Sequence, residues 1–434
     1  MMDGPPNSGQ RANLTFLIRA LHYRNYRLFF SGQGISLVGT WMQQIAISWL
    51  VYRLTDSAFL LGLIGFAGQI PTFLLAPVAG VFADRRDRRK LLVLTQTLAM
   101  SQAFVLALLT FTGHVAVWHL VSLSVFLGLV NALDIPVRQS FVVDLVENKE
   151  DLGNAIALNS VMFNGARLVG PSIAGLLISI VGEALCFFLN GLSFLAIVIA
   201  LMAMKVPERT RTPETEPFFQ GFKDGYRYTF GFAPIRYIIL FLGLVSLMGT
   251  SYLVLMPVFA RDILHGGAHT LGFLMGASGI GALIGAVHLA SRKTVRGLGK
   301  LIVVASATFG AGLAVFSLSR YIPLSLAMML FVGFGMIVHM ASSNTILQTI
   351  VEEDKRGRMM SFYAMAFMGM APFGSLLAGS LASVIGAPNT LAISGLACVA
   401  GSALFLTRLP LIRKLVRPIY VQMGIIKEMP TELQ

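Results

Sequence analysis

An all-α membrane protein, with twelve transmembrane helices in two pseudo-symmetric six-helix bundles, is the fold class this sequence predicts. Three observations predict it. The 434 residues are 56% hydrophobic and only 12% charged, with a mean hydropathy of +0.75, whereas soluble domains carry about 25% charged residues. Twelve apolar windows are long enough to cross a bilayer core of about 30 Å, which takes about 20 helical residues. Residues of the first half recur in the second at a nearly constant offset.

The elements follow in order. Residues 1–26 are polar and basic, without a long apolar core or a small-residue cleavage site, so they read as a cytoplasmic amphipathic segment and not a cleaved leader. Spans are expected at 27–52, 58–82, 90–112, 117–138, 154–180 and 184–204, giving a first bundle over 27–204. A linker, 205–235, follows. In it Phe218, Phe222, Tyr226 and Phe230 are spaced by four, with Lys223, Asp224 and Arg227 on other faces, which predicts an amphipathic helix on the cytoplasmic membrane surface. Residues 14–27 and 411–426 show the same pattern more weakly. Spans at 236–260, 270–291, 301–319, 323–344, 358–385 and 389–407 make a second bundle over 236–408, and 409–434 is a cytoplasmic tail. Pro71, Pro77, Pro171, Pro257 and Pro372 fall inside spans, where neighbouring helices re-satisfy the freed backbone groups.

Lys and Arg set the orientation. Of 33, 29 fall in the termini and the even-numbered loops, and only Arg53, Arg261 and Arg320 on the opposite side, with Arg167 inside a span. Both termini are therefore expected in the cytoplasm. The net charge of +13 is scattered in short clusters between apolar runs and gives no single basic face for nucleic acid. Cys186 and Cys398 lie in apolar runs and form no disulfide framework. No metal-ligand cluster, phosphate-binding G-x-x-x-x-G-K-[ST] loop, H-E-x-x-H or G-x-S-x-G occurs, so no cofactor, metal or enzymatic activity is expected. "GIGALIG" at 279–285 lies within a span without a preceding strand and reads as helix packing.

The repeat is carried by Leu61-Gly62 and Leu271-Gly272, 210 apart, by Gly128 and Gly333, 205 apart, and by a series at 204. That series pairs Gly153 with Gly357, Gly170 with Gly374, Ala174-Gly175 with Ala378-Gly379, and Gly182 with Gly386.

The loop "GVFADRRDRRK" has Gly80, Asp84, Arg85, Arg88 and Arg89 in the spacing G-x-x-x-D-[RK]-x-G-[RK]-[RK], with Asp87 at the second glycine. The second-half copy, "ASRKTVRGLGK", has Thr294 in place of the aspartate. In span five "ARLVGPSIAG" sets Gly170, Pro171 and Gly175 in the pattern G-x-x-x-G-P-x-x-G-G, with Ala166 and Ala174 for two glycines. With six helices on either side of a linker, the chain resembles the major facilitator superfamily, and its texture over roughly 25–408 is similar to the bacterial drug/proton antiporter branch with enterobactin-exporter-like proteins. The resemblance implies alternating access, a central cavity lined by spans 1, 4, 7 and 10, and a gating role for Asp84, which holds the cytoplasmic side closed in the outward-facing state. No arginine occurs in the fourth-span stretch "HLVSLSVFLGL", where that branch carries one.

Ionisable groups inside spans are the default functional candidates. Arg167 lies about 20 Å along span five, where a charge costs about 2.5–3.5 kcal/mol to insert. It reads either as a site for an anionic group or coupling carboxylate, or as a structural partner of Asn159, Asn164 or a backbone carbonyl. Asp134, four residues before Arg138 on one helix face, reads as a local ion pair or as a proton-coupling site. The 205-residue offset places His339 opposite it, as a second proton candidate or a packing histidine. Gln33, Ser36, Thr40 and Gln44 form a polar stripe on span one, with Trp41 and Gln43 beside it. With Asn159 and Asn164 on span five, Ser246 and Thr250 on span seven and Ser342, Ser343 and Asn344 on span ten, they are candidate substrate contacts, each also explicable as an interhelical hydrogen bond.

The expected function is secondary export of an amphipathic drug- or siderophore-like small molecule, coupled to proton entry, by a monomer in the bacterial cytoplasmic membrane. A lipid or lysolipid flippase on the same scaffold, and a membrane enzyme or sensor, are the alternatives.

Overall fold

A computed structural model describes residues 19–84, 86–146, 148–205, 218–249, 251–292 and 294–426. All regular structure in them is helical. The first bundle comprises α1 (Arg24–Thr55), α2 (Ala58–Asp84), α3 (Arg88–Phe111), α4 (Val117–Asp144), α5 (Lys149–Val181) and α6 (Glu183–Ala203). The linker holds α7 (Phe218–Gly231). The second comprises α8 (Ala233–Ile263), α9 (Ala268–Ala290), α10 (Leu298–Leu318), α11 (Ile322–Ile350), α12 (Arg356–Ile385) and α13 (Ala387–Gln422). Among the described residues, eleven helices are long and apolar enough to cross a membrane on composition alone. The twelfth, α1, has the length at 32 residues and is diluted by its polar stripe. Twelve crossings put both termini on one side.

The repeat has a packing reason at nearly every glycine. Gly128 of α4 lies against the Gly68 carbonyl of α2, and Gly333 of α11 against the Ser278 carbonyl of α9. Gly170 brings α5 onto α1, and Gly374 brings α12 onto α8. Gly182 and Gly386, at φ 83° and 84°, are the single residues joining α5 to α6 and α12 to α13, a backbone conformation essentially restricted to glycine. Gly153 and Gly357 meet nothing within 4 Å, so their match has no packing role.

The bundles touch most extensively through two helix pairs, α5 with α9 and α2 with α12, with smaller contacts of α8 against α1 and α2. A Cβ added at Gly175 would stand 2.8 Å from Gly272 Cα, and one at Gly62 would stand 2.8 Å from Gly379 Cα. These contacts are images of each other under the repeat. Small residues that let backbones approach are how membrane helices associate, since lipid supplies no hydrophobic drive between them. Both contacts lie near the ends of their helices facing away from the termini. The core divides accordingly. One cluster, with Leu50, Ile178, Tyr252, Leu271, Phe309 and Leu391, joins the far side of the first bundle to the second bundle through its whole depth, down to Leu298 and Val416, while Tyr26, Phe29, Leu92, Val137 and Phe141 form a separate core on the terminus side of the first bundle.

One boundary and one packing face differ from the sequence reading. The last helix continues through the expected tail to Gln422, carrying Pro410 and Pro418 within it. The linker helix forms where its spacing predicts, but it does not simply lie on lipid. Phe230 meets Phe362 of α12 edge to face at 6.1 Å, Tyr226 meets the same ring at 6.4 Å, and a Cβ at Gly225 would contact it at 3.0 Å. An aromatic row at helical spacing serves a protein groove as well as a membrane surface. Phe218, Phe222 and Asp224 have side chains outside the described residues.

Candidate functional site

Arg167 is the nineteenth residue of the 33-residue α5, close to its middle. Its guanidinium crosses to the other bundle. Nη2 donates to the Tyr252 hydroxyl of α8 at 3.2 Å and approaches Met336 Sδ of α11 at 3.9 Å, and the cation stands 5.8 Å from the Trp41 ring of α1. Trp41 is held by Phe163 at 5.8 Å and by the close approach of Gly170 to its Cβ. Tyr252 is fully buried, shares its hydroxyl with Ser278 Oγ at 3.3 Å and packs on Phe309. Four helices, two from each bundle, thus converge at mid-depth on one half-buried cation. Neither Tyr252 nor Met336 stood out in the sequence: the same span also holds Tyr237, and the chain has 21 methionines, so nothing selects either.

The remaining candidates separate. Gln33 and Ser36 are buried in α1, whereas Thr40 and Gln44 are exposed and Thr40 bonds only its own helix, to the Ser36 carbonyl. Gln43, treated as a flanking residue, instead links three helices through Gln102 and Asn190 at 2.9 Å each. Asn159 and Asn164 do not reach Arg167, and Asn164 donates to the Ser160 carbonyl. Ser246 is buried and donates to the Phe367 carbonyl in a π-helical turn of α12 (Met365–Gly369), and Ser343 donates to the His339 carbonyl. The first bond joins α8 to α12, and the second closes within α11. Asn344 accepts from Gln348. Thr250 lies outside the described residues.

Asp134 is buried and turned toward α3. Its Oδ1 accepts from Thr95 and Gln96 at 2.8 and 2.7 Å, and its Oδ2 lies 3.4 Å from Arg138 Nε. His339, its repeat mate, is buried on α11 edge-on to Phe241 at 5.0 Å. The backbone at Ile302 approaches it, yet neither ring nitrogen forms an aligned hydrogen bond, and Ser342 Oγ one turn on is likewise unsatisfied.

On the far side a second set joins the bundles. A π-helical turn (Phe259–Ile263) ends α8 and presents two neighbours to the tip of α1. Arg261 pairs with Asp56 at 2.5 Å, and Asp262 accepts from the Tyr52 hydroxyl. Among the described residues, the hydrogen bonds, ion pairs and ring contacts between bundles run from the Arg167 level to this far side.

Comparison with known proteins fits this architecture. The transmembrane secretion effector family model matches residues 19–416. The chain belongs to that family, and it is a major facilitator transporter. This transporter is 26% identical over 388 residues to the staphyloferrin A transporter of Staphylococcus aureus, covering 87% of the chain and 95% of that protein. It is 27% identical over 395 residues to the multidrug efflux pump Tap of Mycolicibacterium fortuitum, covering 87% and 93%. Among solved structures, a bacterial homologue of the lysosomal transporter Spinster, titled as inward-facing and occupied, superposes with a TM-score of 0.69 at 15% identity, covering 92% of this chain and 98% of that one. The transporter is not an enzyme.

The two motifs of the transporter have distinct structural work. In the span-five motif, Gly170 seats α5 on α1, the Pro171 carbonyl lies 2.8 Å from a Cβ added at Gly272, and Gly175 makes the inter-bundle contact. In the charged loop, Asp87 caps α3 by accepting from the Lys90 amide. Arg88 pairs with Asp144 at 2.6 Å, and Arg89 donates to the Leu201 and Met202 carbonyls that end α6, at 2.7 and 2.8 Å. These arginines clip α3 to α4 and α6 within one bundle, as cations at a helix C-terminus do. Gly80 lies in the last two turns of α2, which Asp84 ends; the side chain of Asp84, and Arg85 entirely, lie outside the described residues.

Proposed function

We propose that this transporter exports amphipathic, drug- or siderophore-like small molecules across the bacterial cytoplasmic membrane, by alternating access coupled to proton entry. It works as a monomer with both termini in the cytoplasm. The observation that carries the reading is the mid-depth convergence of Trp41, Arg167, Tyr252 and Met336 from both bundles, from which, among the described residues, the polar and ring contacts between the bundles continue toward one side. A site shared by two repeats near the bilayer midplane is the arrangement on which rocking of one repeat against the other acts. The Lys and Arg distribution supports an extracellular placement of the joined side, and the contacts among the described residues then fit a conformation open toward the cytoplasm, the state in which an exporter loads.

The relatives support export of small molecules, one being a siderophore transporter and the other a multidrug efflux pump. The apolar lining, with Met336 and Trp41, suits varied amphipathic substrates, since methionine adapts its shape. Asp134 and His339 are the proton-coupling residues in this reading, in equivalent places of the two bundles and away from the substrate site. Asp84, at the cytoplasmic end of α2, stabilises the opposite, cytoplasm-closed state.

Proteoliposomes with an imposed pH gradient test the proposal. Gradient-driven movement of amphipathic drugs is expected. Lipid movement indifferent to the gradient would replace it with a flippase.

A further inference from the structure

Among the described residues, the charge on Arg167 has no counter-ion. Its neighbours are a phenol hydroxyl, a thioether and an indole face, all neutral. Among the described residues, no carboxylate forms an ion pair with it. Asp134, the one acidic side chain buried within a span at comparable distance from the helix ends, is committed to Thr95, Gln96 and Arg138. A guanidinium at mid-membrane is costly to hold, and its five donors have one oxygen and one sulfur between them. The surroundings do not neutralise it; they orient it. Trp41 stacks against one side, and the buried Tyr252 fixes one amino group.

We propose that Arg167 is a binding residue for an anionic group of the substrate, and that the transporter selects amphiphiles carrying a carboxylate or similar planar anion. This rests on the export reading above and sharpens it. A guanidinium binds such a group through two parallel hydrogen bonds, which a lysine cannot reproduce. Trp41 and Met336 offer the flanking apolar contact for the body of the molecule. Since Arg167 reaches between bundles, an anion there replaces the bond to Tyr252 and loosens a link that holds α5 to α8. Loading thereby weakens one of the contacts that must break for the extracellular side to open.

The test uses the full-length protein in liposomes with three probes of similar size: 1-naphthylacetate, its uncharged amide, and 1-naphthylmethylammonium. Binding is read by quenching of Trp41, in a background where the other two of the three tryptophans are phenylalanine, and transport is read by efflux. The carboxylate is expected to bind about tenfold or more tighter than the amide, as loss of a hydrogen bond to a charged group predicts. Arg167→Gln should erase the difference, and Arg167→Lys should keep only part of it. Equal binding of carboxylate and amide, or discrimination that survives in Arg167→Gln, overturns the inference. If the ammonium or amide probe is exported while the carboxylate is neither bound nor moved, the inference falls and the export reading stands. If no probe moves, both fall. Should Arg167→Gln fail to fold, Tyr252→Phe serves in its place. It keeps the cation and frees Nη2, so carboxylate affinity should be retained or raised, and a tenfold loss counts against the proposal.

Discussion

Arg261 of the second bundle reaches Asp56 of the first at 2.5 Å, and the adjacent Asp262 accepts from Tyr52, whose ring lies 5.7 Å from the Arg261 cation. This cluster ties the tip of α1 to the π-helical end of α8 on the side away from the termini. The Arg261 and Asp56 side chains are 39% and 68% exposed, so the pair contributes no more than about 1 kcal/mol. Asp56→Asn is therefore expected to raise the population open on that side by up to about fivefold. The effect should shrink as salt rises, because charges are screened over about 10 Å at 0.1 M. Labelling rates of a cysteine placed at Gln44, with buried Cys186 and Cys398 replaced, report the change. A larger shift at high salt would exclude an electrostatic latch.

The glycine contacts predict a symmetric effect. Gly175→Ala and Gly62→Ala each drive a Cβ to within 2.8 Å of a Cα in the opposing bundle, with backbone oxygens at 2.7 and 2.5 Å. Each should wedge the far side apart and shift the same labelling assay in the same direction by a similar factor. Gly153→Ala, which meets nothing within 4 Å, should leave it unchanged. Opposite shifts for the two interface variants would mean that the helix pairs do not move as repeat mates.

The charged loop separates stability from gating. The Arg88 and Asp144 side chains are 13% and 14% exposed, and the hydrogen bond joins two charged groups. Arg88→Gln is expected to lower stability by about 1–3 kcal/mol, seen as an earlier thermal transition in detergent. Combined with Asp144→Asn, the double-mutant cycle should return a coupling near that size. A population change without loss of stability would reassign Arg88 from bundle clip to gate.

Much of this was legible in the sequence, and the failures share a cause. Crossing number, the division into halves and the glycine repeat are carried by hydropathy and spacing, which are local. The repeat marked Gly62, Gly175, Gly272 and Gly379, but only the structure shows that Gly175 meets Gly272 and Gly62 meets Gly379. The partners of Arg167 were not legible: the sequence nominates Asn159 and Asn164 on its own helix, while the observed partners come from α1, α8 and α11. Ser246 and Ser343 were nominated by polarity, but in lipid a hydroxyl is as readily used by a neighbouring carbonyl as by a substrate. The far-side cluster was missed because Asp56, Arg261 and Asp262 look like ordinary loop charges until the π-helical turn brings them together.

Proton coupling can be tested at Asp134 without dismantling the bundle. An asparagine there keeps an oxygen to accept from Thr95 and Gln96, and loses only the charge that faces Arg138, a side chain 25% exposed and so partly solvated. The fold should survive, whereas an apolar residue would strand two buried donors. If this carboxylate takes up and releases the coupling proton, Asp134→Asn should reduce gradient-driven transport to the rate seen without a pH gradient. Exchange of labelled for unlabelled substrate, which needs no proton, should continue. His339→Gln makes the same comparison in the second bundle, where a ring with no aligned hydrogen bond is exchanged for a side chain of similar reach. Loss of gradient dependence in only one of the two variants assigns the proton to that bundle. Full gradient dependence in both would place coupling elsewhere and leave Asp134 as the structural tie between α3 and α4 that its three partners already make it.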